Sequence, residues 1–222
     1  GDVYKRQGLT RQNWKSAVLI VLAFVGIYIV RTVVSVAVQG VSDGSGMQYV
    51  KEWAAMFKNP MMWLNIAALP INYFFVFIAF FGEEYGWRYY LQPVLQKRFG
   101  LRAGVIILGV VWGLWHIPDD LFYYTQTSGI QMIFAQQITC ISLGIFFAYA
   151  YMKTQNIWVP VCLHYLNNNL IPIISGTFSA DVLENQTVSW KDLPVALVLN
   201  GLCFGFFLLA DVFKKKEVQE EE

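Results

Sequence analysis

Charge is scarce in this chain of 222 residues. Asp, Glu, Lys and Arg make up 14% of it, against 56% hydrophobic residues. A soluble domain is nearer a quarter charged, so the deficit excludes an ordinary soluble surface. The formal net charge of +1 provides no basic footprint for nucleic acid. Cysteine is equally sparse: Cys140, Cys162 and Cys203 all lie in apolar stretches, and their odd number and lack of a C-x-x-C exclude a disulfide framework. Each reads as a small buried hydrophobe. Cys162 precedes His164 by two residues, which on a helix turns the side chains to different faces and argues against a Cys–His nucleophilic pair. There is no phosphate-binding glycine loop, no internal repeat and no H-E-x-x-H. Only two histidines occur, His116 and His164, and both sit inside apolar runs.

Those runs dominate the chain. Six spans are expected: Ser16–Val38, Met61–Leu91, Arg102–Pro118, Gln131–Met152, Ile157–Ile174 and Leu193–Phe213. Each is near the ~20 residues that cross ~30 Å of hydrocarbon, the second being longer. Pro70 delays or kinks that second span, and Pro93 ends it. The fold class is therefore an all-α polytopic bundle of about six transmembrane helices. Basic residues alternate between connections: Arg11 and Lys15 before span one, Lys97, Arg98 and Arg102 between two and three, Lys153 between four and five, and Lys214, Lys215 and Lys216 after six. The positive-inside rule then places both termini in the cytoplasm. Residues 1–7 contain DVYKRQ, which resembles a translated library adapter, so they stay outside the fold argument. The expected division is 1–7 artefact, 8–60 first span and outer loop, 61–175 core, and 176–222 last span and cytoplasmic tail.

Ionisable groups are costly in a bilayer and usually functional there. Glu83 lies about 14 residues before Lys97, His116 about 14 after Arg102 and His164 about 11 after Lys153, which puts all three roughly 16–21 Å from the inner anchors. Asp119 and Asp120 fall at the outer rim. Glu84 and Arg88 are i,i+4 and share a face, as do His164 and Asn168. Glu83 is turned away by about 100° and stays free to act as a base. These groups suit peptide hydrolysis: Glu83 takes a proton from water, His116 holds that water, and His164 and Asn168 donate to the oxyanion. Asn167 and Asn169 point away from the Asn168 face. Arg31 snorkels or pairs with a carboxylate. The many Trp and Tyr residues read as interface anchors and packing.

Glu83-Glu84-Tyr85-Gly86-Trp87-Arg88, then Trp112-Gly113-Leu114-Trp115-His116, then His164-Tyr165-Leu166-Asn167-Asn168 resemble the motifs of the CPBP family (CAAX proteases and bacteriocin-processing enzymes, also called Abi). The resemblance covers roughly Pro70 to Ser175. It implies an intramembrane endopeptidase acting on a hydrophobic or lipidated, CAAX-type peptide within membrane lipid, and the cytoplasmic membrane of a bacterium as its place. It matches Glu83, His116, His164 and Asn168 to catalytic positions and Glu84 and Arg88 to the supporting pair. Trp112 stands where Phe is common and keeps an aromatic wall. The family is generally named as metalloproteases, and Glu83, His116 and His164 are the candidate zinc ligands. A metal-free route through glutamate-activated water uses the same residues and is the preferred reading, with no cofactor required. Two rivals stay open: a proton-coupled transporter, and a non-catalytic membrane partner of the bacteriocin-immunity kind.

Overall fold

A computed structural model describes residues 13–41, 44–176, 182 and 184–214. The expected adapter segment 1–7 and the tail beyond Lys214 lie outside them. The described chain is helical and shows no β-strand: α1 Trp14–Gln39, α2 Gly46–Ala55, α3 Pro60–Glu84, a π-helical stretch Tyr85–Leu91, α4 Gln92–Phe99, α5 Leu101–Trp115, α6 Ile117–Phe122, α7 Gly129–Thr154, α8 Trp158–Ser175 and α9 Asp192–Cys203, which runs on into short 3-10 turns over Gly205–Leu209 and Asp211–Phe213.

Helices occupy all six expected span positions, but their lengths differ from the expectation. Among the described residues four are long and apolar enough to cross a membrane: Trp14–Gln39, Pro60–Phe99, Leu101–Phe122 and Gly129–Thr154. The polar run from His164 to Asn169 dilutes the hydrophobicity of α8. The last helix stops after 12 residues, about 18 Å of rise, with Gly201 and Gly205 flanking the break. The chain is a membrane protein on these grounds. The α3 face exposes Ile71, Phe74, Phe75 and Ile78, a contiguous apolar surface that lipid covers.

Pro70 does not delay the second span. The helix starts at Pro60, where Asn59 Oδ1 accepts from the Met61 N–H at 3.0 Å, and it continues through Pro70. The Tyr165 hydroxyl donates to the Leu69 carbonyl beside that proline at 2.7 Å. Pro93 does not end the helix either. It falls in the first turn of α4, after the π stretch, where a missing N–H costs little. Gly100, at φ 89°, makes the tight turn into α5 that a side chain would strain.

The core is aromatic. Phe24 of α1 contacts Phe146 and Phe147 of α7 and Phe204 after α9, with ring centroids 5.6–6.0 Å apart. This packing draws the outer helices onto α7. Helices α5 and α7 approach closely where Gly109 meets Gly144, and a Cβ on Gly109 would sit 2.6 Å from the Ile141 Cα. Small residues allow such contact between membrane helices. Gly109→Ala is expected to lower stability by about 1–3 kcal/mol, read as a drop in the thermal midpoint in detergent.

Candidate active site

The first motif bends out of regular helix at the position that matters. The π-helical stretch begins at Tyr85, directly after Glu84. Such wide turns recur at functional sites. Glu84 and Arg88 nevertheless meet, with Arg88 Nε donating to Glu84 Oε2 at 2.8 Å, both fully buried. The other Glu84 oxygen accepts from His164 Nδ1 at 2.9 Å. One carboxylate therefore ties the first motif to the third across two helices. The i,i+4 spacing alone pairs it only with the arginine. The Arg88 guanidinium also lies over the rings of Trp112 and Phe147, at 5.2 and 5.4 Å, a cation–π arrangement. Among the described residues its two terminal nitrogens have no hydrogen-bond partner.

The second motif ends in a break. Pro118 cannot continue the α5 ladder, and the chain turns at His116, φ −86° and ψ −3°, before α6. The His116 backbone N–H bonds the Gly113 carbonyl at 3.1 Å instead of reaching back a full turn. The Trp112 carbonyl takes the imidazole instead, with His116 Nδ1 at 2.8 Å. A carbonyl only accepts, so Nδ1 carries the hydrogen and Nε2 presents its lone pair. In His164 the carboxylate fixes Nδ1 as the donor in the same way.

The Trp112 ring contacts both imidazoles, with centroids 5.8 Å from His116 and 5.4 Å from His164. A cavity of about 350 Å³ follows, whose lining includes Trp112, His116, Cys140, His164, Asn167 and Asn168. The two histidines and Asn168 thus come together as expected.

Glu83 does not join them in this conformation. It is half-buried and lines an apolar groove with Trp87, Tyr90 and Trp115. The Cys140 thiol lies 3.8 Å from His116 Nδ1 in the histidine cavity. Among the described residues no three His, Cys, Asp or Glu side chains form a group able to hold a metal. Glu83, His116 and His164 therefore do not fit a metal as they stand.

Three placements differ from the expectation. Asn167 faces the cavity rather than away from it: its amide donates to Asn168 Oδ1 at 2.9 Å, and its own oxygen accepts from the Tyr28 hydroxyl at 2.6 Å. Neighbouring helix positions can both border one wide cavity. Asp120 is fully buried rather than at a rim, because α6 folds its first turn back against α7, and neither carboxylate oxygen has a partner among the described residues. Arg31 pairs with a carboxamide, donating to Asn200 Oδ1 at 3.0 Å. The α7 contribution was missed altogether. Gln136, Thr139, Cys140 and Leu143 line the cavity from one helix face. Their i, i+3, i+4, i+7 spacing was the available signal.

Residues 63–170 match the family model described as type II CAAX prenyl endopeptidase Rce1-like. A CAAX prenyl protease 2 of Methanococcus maripaludis is 27% identical over 125 residues, 52% of this chain and 45% of the relative. The chain thus aligns with less than half of that relative's length. No solved structure matches significantly. The matched segment contains both glutamates, Arg88, both histidines and Asn168, and by this Rce1-like domain the chain is assigned to the CPBP/CAAX protease family.

Proposed function

We propose that the chain is an intramembrane endopeptidase that hydrolyses a peptide bond of a membrane-associated, CAAX-type peptide, prenylated or plain. The observation that carries this reading is the pair of imidazoles lining one cavity, each with Nδ1 held by an acceptor and Nε2 left for chemistry. The resemblance of residues 63–170 to CAAX endopeptidases supports it.

The two rings are backed differently, which suggests different roles. His116, against a neutral carbonyl, offers the Nε2 lone pair to a water O–H. His164, against the Glu84 carboxylate, carries a proton on each ring nitrogen in this reading, its charge balanced by that carboxylate, so its Nε2–H suits an oxyanion. Asn168 adds an amide N–H beside it. Glu83 is the carboxylate left unengaged once both Glu84 oxygens are bonded, and it takes the water proton after turning from its groove toward the histidines. The water oxygen bonds to the carbonyl carbon, and the proton passes from Glu83 to the departing amine as the C–N bond breaks. The products are a carboxylic acid, which retains the second water proton, and an amine.

The test is peptide cleavage by purified protein in lipid, on matched prenylated and plain peptides, read by mass spectrometry with Glu83→Ala as control. Products that vanish in the control support the reading, and the preferred peptide answers the prenyl question. Absence of any Glu83-dependent product from folded protein favours a non-catalytic membrane partner. Asn168→Ala is expected to lower turnover about 10²–10³-fold, the usual loss for one oxyanion donor, with little change in the thermal midpoint because the side chain is exposed to the cavity. The reading also includes cytoplasmic termini in a bacterial membrane, checked by labelling single cysteines placed at each end from either side.

A further inference from the structure

A second cleft lies between α3 and α8, and the mechanism does not use it. Asn65, Leu69 and Asn72 line it from α3, and Asn168, Asn169 and Pro172 from α8. Asn168 and Pro172 also line the histidine cavity, so the two spaces adjoin. Four carboxamides in one cleft between membrane helices are costly unless something engages them.

Their engagement is incomplete. Asn169 donates to the Tyr165 carbonyl at 3.0 Å, and Asn168 Oδ1 is taken by Asn167. Among the described residues the side chains of Asn65 and Asn72 have no hydrogen-bond partner. Pro172 has no N–H to return the helical bond to the Asn168 carbonyl, so an acceptor is also freed in this wall. A carboxamide offers a donor and an acceptor together, the complement of a peptide unit's C=O and N–H. Asn65 and Asn72 are seven residues apart, on one helix face and separated by about 10.5 Å along the axis, which is the rise of about three residues of extended chain.

We infer that this cleft binds the main chain of an extended peptide, holding the substrate segment that leads into the histidine cavity. The inference rests on the endopeptidase reading and adds a substrate-binding site to it. Recognition through the backbone tolerates varied side chains, because the contacts are to groups every residue carries.

The test compares the wild-type protein with an Asn65→Leu/Asn72→Leu double variant in lipid nanodiscs. The substrates are a short peptide containing the cleavable bond, the same peptide extended by three residues on either side, and the extended peptides with N-methylated backbone amides. In the wild type the favourable extension is expected to lower KM about tenfold, the worth of one or two net hydrogen bonds. The double variant and the N-methylated peptides lose that gain, while kcat on the short peptide is unchanged. Equal KM gains in both proteins, or a gain that survives N-methylation, overturns the inference. N-methylated peptides on unmutated protein keep the test independent of the variant's folding. If the wild type cleaves nothing, the endopeptidase reading fails, and binding of a fluorescent extended peptide still decides this site: weakening about tenfold in the double variant supports it and equal binding overturns it.

Discussion

Glu84→Ala is expected to lower stability by about 3–5 kcal/mol, the usual cost of removing one partner of a buried charge network. Glu84 answers two buried groups at once, Arg88 Nε at 2.8 Å and His164 Nδ1 at 2.9 Å. Its removal leaves a buried guanidinium enclosed by Trp112 and Phe147 with no carboxylate in contact. The partly oriented His164 loses its Nδ1 acceptor in the same step. Thermal unfolding in detergent and the folded yield are the measurements. Glu84→Gln keeps an acceptor but not the charge, and is expected to fall between wild type and alanine. A midpoint for Glu84→Ala matching wild type would show that the network does not hold α3 to α8.

Glu83→Ala is expected to do the opposite. Its carboxylate has no ion-pair partner among the described residues and borders a lipid-facing groove. Losing it should leave the thermal midpoint close to wild type, while cleavage falls about 10²–10⁴-fold, the range for a general base. His116→Ala and His164→Ala are expected to abolish cleavage as well, the second with a partial loss of stability because Glu84 and Arg88 lose a neighbour. The two adjacent glutamates thus separate in their readouts: one changes rate at constant stability, the other changes stability first. Wild-type turnover in Glu83→Ala would move proton abstraction to the Glu84–His164 pair, whose Nδ1–carboxylate contact resembles the base and orienting acid of a hydrolytic triad.

Much of the site was legible because helical spacing is a local property. Glu84 and Arg88 at i,i+4 meet as the spacing required, even across the start of a π stretch. The two histidines share a cavity, as their similar depths suggested, and Asn168 joins them as its i,i+4 spacing from His164 required. What failed was facing across helices. The i,i+4 rule says which side chains share a surface, and nothing about which helix that surface meets. Glu84 was therefore given one partner where it has two, and Asn167 was turned away from a cavity wide enough to take it. Glu83 was placed among the histidines, yet here it lines the groove beside Trp115. Cys140 was read only as a packing residue, although it touches His116 from a helix whose polar face went unread.

Composition and apolar run lengths determined by themselves that this is an all-α membrane protein, because a bilayer leaves a chain this poor in charge few other ways to satisfy its backbone. The three motifs likewise carried the family, since each is a spacing within one helix. Only the tertiary structure decided which partners those residues have. The break at His116 frees the Trp112 carbonyl for the imidazole, Glu84 bridges two helices, and the asparagines of α3 and α8 come to line one cleft. Each of these depends on the rotation and approach of one helix against another, and packing over the whole bundle sets those, not spacing along any single segment.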